Sequence, residues 1–365
     1  MERRTFLGVV GASAGTAFGS TGLYRSAEGA ARPRTGDILA GISVGPEETG
    51  RLERLRRWAG ASHAVVVRYA TLGGGDDDIA ATCEALTERW NAGAVPQLVL
   101  QPLFDTVAET SDRIAAEIAA GDHDDRIDAW AERLGAWANR GLGRPNRRLY
   151  LTFAPEMNGD WVPWAPPANE TTPEEYVAMW RRVRRRFEKQ GLGPDELQWI
   201  WSPNVTGRGG IPLSRYYPGD ANADWVGING YNWSRWGTWS DPEDLYAAAV
   251  EKVREVTDKP LALTEMGCSS AVEGGFDPER KDRWITDLYD FAAATEIKMV
   301  CWFNHEKETD WSVFGGERGT ETVRIDGESI RAYGAYRRAL NRPGVLGPHP
   351  KSARNLTDAE FRGDF

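Results

Sequence analysis

Cysteine is scarce in this 365-residue chain, which carries only Cys83, Cys268 and Cys301. Three cannot all pair within the chain and are too sparse for a disulfide framework. Each sits in an apolar run, as inert core thiols do, although Cys268 follows Glu265 closely. Histidine is scarce too, with four residues. No histidine pair or cysteine cluster has metal-ligand spacing, so a metal-dependent hydrolase is disfavoured and no cofactor is expected. Only seven of the 44 basic residues are lysine; GC-rich coding and salt adaptation each account for that. Positive charge is outweighed overall, and a net charge of −10 disfavours nucleic acid and anionic membranes as partners. Neutral polymers remain open. Against these shortages stand 16 tryptophans and a hydrophobic content of 41%, ample for a large core.

The chain begins with Arg3-Arg4-Thr-Phe6-Leu7 and a weakly apolar stretch rich in Gly, Ala and Ser. This resembles a twin-arginine export signal, expected over residues 1–26, with a polar linker over 27–36. The stretch is a poor permanent anchor, and the expectation is an exported monomer, extracellular or at the cell surface.

From residue 37 short apolar runs alternate with amphipathic helical stretches. The strand candidates are Ile38–Val44, Ala64–Tyr69, Val95–Gln101, Arg148–Phe153, Leu197–Trp201, Trp225–Asn229, Leu261–Thr264 and Met299–Phe303. They are nearly continuous Val/Ile/Leu runs, as in parallel strands covered on both faces. Between them, Ile127, Trp130, Leu134 and Trp137 share one helical face, as do Tyr176, Trp180, Val183 and Phe187, and Trp284, Leu288 and Phe291. Helix starts are marked by Thr172-Pro173-Glu-Glu, Ser240-Asp-Pro242 and Asp277-Pro278. Eight strands, each followed by a helix, predict a single α/β domain of the (β/α)8 barrel type over residues 37–342, with an irregular tail over 343–365.

In such a barrel, polar residues at the C-terminal strand ends converge on one face. The fourth strand leads to Glu156 and the seventh to Glu265. The fifth ends in Trp201-Ser-Pro-Asn204, the sixth in Asn229-Gly-Tyr231-Asn-Trp233, and the eighth in Trp302-Phe-Asn304-His305-Glu306. Aromatic faces beside amides and carboxylates suit a neutral sugar, which offers apolar ring faces and many hydroxyls. A carboxyl pair about 5–5.5 Å apart would support retaining hydrolysis, one protonated and one ionised. Met157 and Trp161 flank Glu156 and favour its protonated form, while Tyr231 and Arg68 are expected to keep Glu265 charged. For Arg68 an ordinary ion pair at the barrel rim is an equal expectation.

The run Pro155-Glu156-Met-Asn158-Gly-Asp-Trp161-x-Pro-Trp164 resembles the acid/base signature of glycoside hydrolase family 26, usually His-Glu-Met-Asn-Gly-x-Trp. Trp-Ser-Pro-Asn204, Asp-Trp-Val-Gly-x-x-x-Tyr231, Lys-Pro-x-x-x-Thr-Glu265 and Trp302-Phe-Asn-x-x-Lys-Glu-x-Asp-Trp311 follow in order. The resemblance implies a retaining enzyme, an endo-β-1,4-mannanase or a relative acting on mixed-linkage glucan or xylan. It further implies that Glu156 is the acid/base and Glu265 the nucleophile, that Tyr231 orients Glu265, and that Trp302 floors the reacting-sugar subsite. Asn158, Trp161, Trp164, Asn204, Trp233 and His305 join Arg68 as expected substrate contacts. The chain departs from the pattern at Pro155, where the family has histidine. Proline removes a side-chain donor and its own N–H, which implies an altered subsite, or a barrel that binds sugar without cleaving it.

Overall fold

The computed structural model describes residues 36–365 apart from 46–47 and 236. The expected leader and all but the end of the linker lie outside the described residues. Eight parallel strands form the barrel: β1 (Ile38–Val44), β2 (Val65–Thr71), β3 (Val95–Gln101), β4 (Leu149–Phe153), β5 (Leu197–Trp201), β6 (Trp225–Asn232), β7 (Leu261–Cys268) and β8 (Ile297–Asn304). Each pairs with the next, and β8 closes onto β1 with Leu39 opposite Met299 and Val44 opposite Asn304. The expected (β/α)8 barrel is the fold.

Register shows which residues fill the barrel. Gln97 on β3 donates to Thr152 Oγ1 on β4 at 3.1 Å and accepts from Cys301 on β8 at 3.4 Å, so its side chain crosses the interior. Gln97 is in register with Val67 on β2, and Ser43 on β1 with both Val67 and Phe303. Strand side chains alternate between faces. Ser43, Val67, Tyr69 and Phe303 therefore point inward, while Arg68 and Trp302 point toward the outer layer. That layer is the helical stripe set: Trp130, Leu134, Tyr176, Trp180, Phe187, Trp284 and Leu288 are all buried. The helix at Pro173–Lys189 starts in a reciprocal cap, with Thr172 Oγ1 accepting from Glu175 N and Glu175 accepting from Thr172 N.

The tail corrects the expectation of irregular chain. Val345–Leu346 pairs with β1, and a short helix spans Asp358–Arg362. It begins in a second capping box, Thr357 to Glu360, and buries Phe361 against the barrel floor. There the Phe361 carbonyl accepts from Tyr150 Oη at 3.1 Å and Trp225 Nε1 at 3.2 Å. Arg148, fully buried, donates to the carbonyls of Leu356 and Thr357 and pairs with Asp358. The tail covers these polar groups at the strand starts and supplies the partners that their burial requires. This leaves the opposite end of the barrel to hold the chemistry.

Candidate active site

Glu156 follows β4 in a strained turn. Ala154 has φ of 44° and Glu156 φ of 61°, left-handed values on either side of Pro155. Such residues cost on the order of 1 kcal/mol each and persist only where their surroundings fix them. Here every neighbouring backbone group is held. Tyr176 Oη donates to the Ala154 carbonyl at 3.1 Å, and Trp164 Nε1 to the Pro155 carbonyl at 2.7 Å. The Glu156 amide donates to the Ser202 carbonyl on the next strand at 2.8 Å. Trp164 is completely buried. It braces the turn rather than offering a face to sugar, which corrects its expected role.

Glu156 is only 4% exposed. Its Oε1 accepts from Asn204 Nδ2 at 2.8 Å and Asn229 Nδ2 at 3.2 Å, and its Oε2 from Trp161 Nε1 at 2.6 Å. Both amides are themselves fixed. Asn158 donates to the Asn204 carbonyl and accepts from its N–H, each at 2.8 Å. Asn158, itself buried, thus fixes Asn204, and the two line a cavity together with Arg208. Asn229 Oδ1 accepts from Ser202 Oγ and Thr264 Oγ1, both at 2.9 Å. This network needs glycine at 227, because a Cβ there would collide with Thr264 Oγ1 and Ser202 Oγ. Burial pushes the Glu156 carboxyl above its ordinary range, against the pull of three donors.

Glu265 lies within β7, which runs on to Cys268, rather than beyond the strand end. The register against β6 slips between Ile228–Leu263 and Asn229–Glu265, and that against β8 between Val300–Leu263 and Trp302–Met266. A bulge at this point re-aims the carboxylate. Glu265 is 5% exposed. Tyr231 Oη donates to its Oε1 at 2.6 Å. Burial and the neighbouring Glu156 carboxylate push Glu265 up to about 7, opposed by Tyr231, Tyr69 and, through space, Lys307. The Glu156 charge is thus close enough to act on Glu265. Arg68, expected beside Glu265, faces the outer layer; the second group from β2 is its neighbour Tyr69.

Eight parallel strands thus bring two buried, coupled carboxyls to the open end of one barrel. The family model described as Glycosyl hydrolase family 26 matches residues 103–312, more than half of the chain and both carboxyls. The chain belongs to glycosyl hydrolase family 26. Endoglucanase H of Acetivibrio thermocellus is 28% identical over 261 residues, 69% of this chain and 25% of that protein. Mannan endo-1,4-beta-mannosidase A and B of Caldalkalibacillus mannanilyticus is 25% identical over 206 residues, 55% of this chain and 37% of its own. The chain thus spans only a quarter of the first relative and somewhat over a third of the second. Among solved structures, the catalytic domain of the Bacillus sp. JAMB-750 GH26 endo-beta-1,4-mannanase superposes with a TM-score of 0.65 at 18% identity, covering 88% of this chain and 90% of that one.

The aromatic lining of this family 26 site differs from the expected one. Trp302 is fully buried among Trp284 and Tyr336, and its Nε1 donates to the Trp311 carbonyl at 2.8 Å. It belongs to the outer core and cannot floor a subsite. The rings that surround Tyr231 are Phe303, edge-on at 5.7 Å, and Trp311 at 4.9 Å, with Trp233 packed on Trp311 at 5.7 Å. Trp161 and Tyr231 keep partial exposure, and Trp233 is 7% exposed. His305 is half-buried, stacked on Phe303 at 4.1 Å, with Nε2 against Ser43 Oγ at 2.7 Å. Sequence reasoning gave no role to Tyr69, Asn229, Phe303 or Trp311. Trp311 closes the eighth-strand motif and Asn229 ends the expected sixth strand, so both carried a signal; for Tyr69 and Phe303 the only signal was alternation along strands too uniformly apolar to show it.

Proposed function

We propose that this chain is a retaining glycoside hydrolase that cleaves β-1,4-linked polysaccharide within the chain, acting on mannan. The observation that carries the reading is the carboxyl pair, buried, mutually repelling and differently supported. Glu265 meets the Tyr231 hydroxyl on an interior bulge, while Glu156 sits in a strained turn under an indole and two amides. In the first step a Glu265 carboxylate oxygen attacks the anomeric carbon as the glycosidic C–O bond breaks, and Glu156 gives its proton to the departing oxygen. In the second, Glu156 takes a proton from water, whose oxygen displaces the Glu265 ester and returns the carboxylate. The first step requires the proton on Glu156, whose burial favours the protonated form, and a charged Glu265, which the Tyr231 hydroxyl supports. Asn204, Asn229 and Trp161 position Glu156, and Tyr231 positions Glu265.

Two observations favour a second reading on the same chemistry, a mixed-linkage β-glucan substrate. Pro155 stands in place of the family histidine, and the match to Endoglucanase H extends over more of the chain than the match to the mannosidase. Incubation with mannan, glucomannan, lichenan and xylan, followed by reducing-end assay and proton NMR of the first-formed anomer, tests both. Net retention on mannan supports the first reading, and release from lichenan alone supports the second. Binding without release from any of the four would leave a non-catalytic sugar-binding barrel. The twin-arginine motif at Arg3-Arg4 supports export in the folded state; a reporter fused behind residues 1–36 that stays in the cytoplasm would refute that.

A further inference from the structure

Tyr69 is a polar group for which neither the motif nor the carboxyl chemistry accounts. It points into the barrel from β2, and its ring meets Phe303 edge-on at 6.3 Å. A phenylalanine would fill that role. The hydroxyl is buried and closes no well-formed hydrogen bond, yet it faces two groups, the Glu265 carboxyl and Ser43 Oγ. Burying an unsatisfied hydroxyl costs about 1–3 kcal/mol, so its presence calls for a reason. Behind Ser43 stands His305, with Nε2 2.7 Å from Ser43 Oγ. The order in space is His305, Ser43, Tyr69, Glu265.

The direction of this row depends on the tautomer at its far end, and the Nε2-protonated form is the one that sends a proton toward Glu265. Burial and the nearby cations Arg51 and Lys307 hold His305 down to about 4, so the ring is neutral at working pH. A neutral ring carries its proton on one nitrogen. With Nε2 protonated, His305 donates to Ser43 Oγ, the Ser43 hydroxyl turns to Tyr69 Oη, and the Tyr69 proton is left for Glu265. Glu265 is also faced by Glu156 from the β4 turn, Tyr231 from β6 and Lys307 from beyond β8. Of these, Tyr231 makes a short bond to it, at 2.6 Å. When a sugar enters, water leaves and the cost of a charged Glu265 rises, so a second donor already in place would meet that cost.

We propose that Tyr69 is a second hydroxyl donor to Glu265, aimed at the carboxylate by the Ser43–His305 pair and serving it when a bound sugar has displaced water. This rests on the reading of Glu265 as nucleophile. The test therefore includes a measurement that needs no turnover. Protein labelled with carboxyl-13C glutamate is titrated by NMR, and the Glu265 signal is identified by its loss in Glu265→Gln. In Tyr69→Phe the Glu265 midpoint rises, with proton affinity increased about three- to tenfold. On whichever glycan the wild type cleaves, kcat falls about tenfold with KM little changed, and the acidic limb of kcat/KM moves up with the midpoint. Ser43→Ala moves the midpoint in the same direction by less, and it serves also if Tyr69→Phe does not fold. A midpoint unmoved in the folded Tyr69→Phe protein overturns the proposal. A midpoint that moves there but not in Ser43→Ala removes the Ser43–His305 pair from it. If the wild type cleaves no glycan, the nucleophile reading fails while the titration still judges Tyr69 as a donor.

Discussion

Glu265→Gln should stabilise this protein at alkaline pH and do so less, or not at all, in acid. Glu265 has an ordinary value of 4.5 and is raised to about 7 in the fold by burial and by Glu156. A raised carboxyl binds its proton more tightly when folded than when unfolded. Its cost to stability is therefore absent below about pH 4.5, grows as the pH rises through the interval, and is complete above about 7. The gap corresponds to about 3 kcal/mol. With the unfolding entropy typical of a chain of this length, that amounts to about 4 °C in Tm. Glutamine keeps the size and one acceptor for Tyr231 but carries no charge, and it also relieves the repulsion on Glu156.

The assay is thermal unfolding of both proteins, followed by circular dichroism at pH 4.5, 6 and 8 in buffers of equal ionic strength. The informative quantity is the difference between variant and wild type, in which titrating groups remote from Glu265 cancel while the relief of Glu156 acts in the same direction. Any packing or hydrogen-bond penalty of the amide is the same at each pH and cancels from the slope. The expected difference climbs by about 4 °C between pH 4.5 and 8. A flat difference, or one that falls as the pH rises, would refute the claim that Glu265 is held in the fold at a cost.

Three further outcomes follow from the same geometry. Trp302→Phe loses the bond to the Trp311 carbonyl and part of a buried ring, so it should lower stability by about 1–3 kcal/mol with KM nearly unchanged. A large rise in KM at unaltered Tm would restore Trp302 to the subsite. Glu156→Ala should slow hydrolysis of glycosides with poor leaving groups by about 10²–10⁴ and affect activated aryl glycosides far less in the first step; equal losses on both would unseat Glu156 as proton donor. Trp164→Phe releases the Pro155 carbonyl and should lower kcat about tenfold with little change in KM, on the reasoning that small displacements of a catalytic group are costly; unchanged kcat in stopped-flow or steady-state assays would show that the brace is dispensable.

The barrel was legible because each strand is a compact apolar run separated from the next by a helical stripe. Glu156, Glu265 and Tyr231 were legible because they follow or end those runs within spaced motifs. What could not be read was the facing of residues within a strand. A strand covered on both sides has no polar alternation to reveal which side chain points inward. Arg68 and Tyr69 are adjacent, as are Trp302 and Phe303, and in each pair the larger or more polar residue drew the functional reading while its neighbour faces the site. The bulge in β7 adds a second concealment, since it changes the facing midway along the strand. The tail helix was missed for another reason. At five residues it is too short to show a periodic stripe, and only the Thr357-Asp-Ala-Glu360 cap announced it.

Pro155 takes on a different meaning once the turn around it is known. Its lack of an N–H matters little to the backbone, because the turn is anchored through neighbouring carbonyls and through the Glu156 amide. Its lack of a side-chain donor does not starve Glu156, whose two oxygens already accept from Asn204, Asn229 and Trp161. A proline ring also limits the freedom of an unfolded chain that must enter two left-handed conformations in three residues. The departure from the family pattern therefore leaves the machinery that holds the acid carboxyl complete. What it removes is a donor outside that machinery, and the partner that loses it would be the sugar. On this argument residue 155 bears on which glycan is accepted, and Glu156 and Glu265 on whether any glycan is cut.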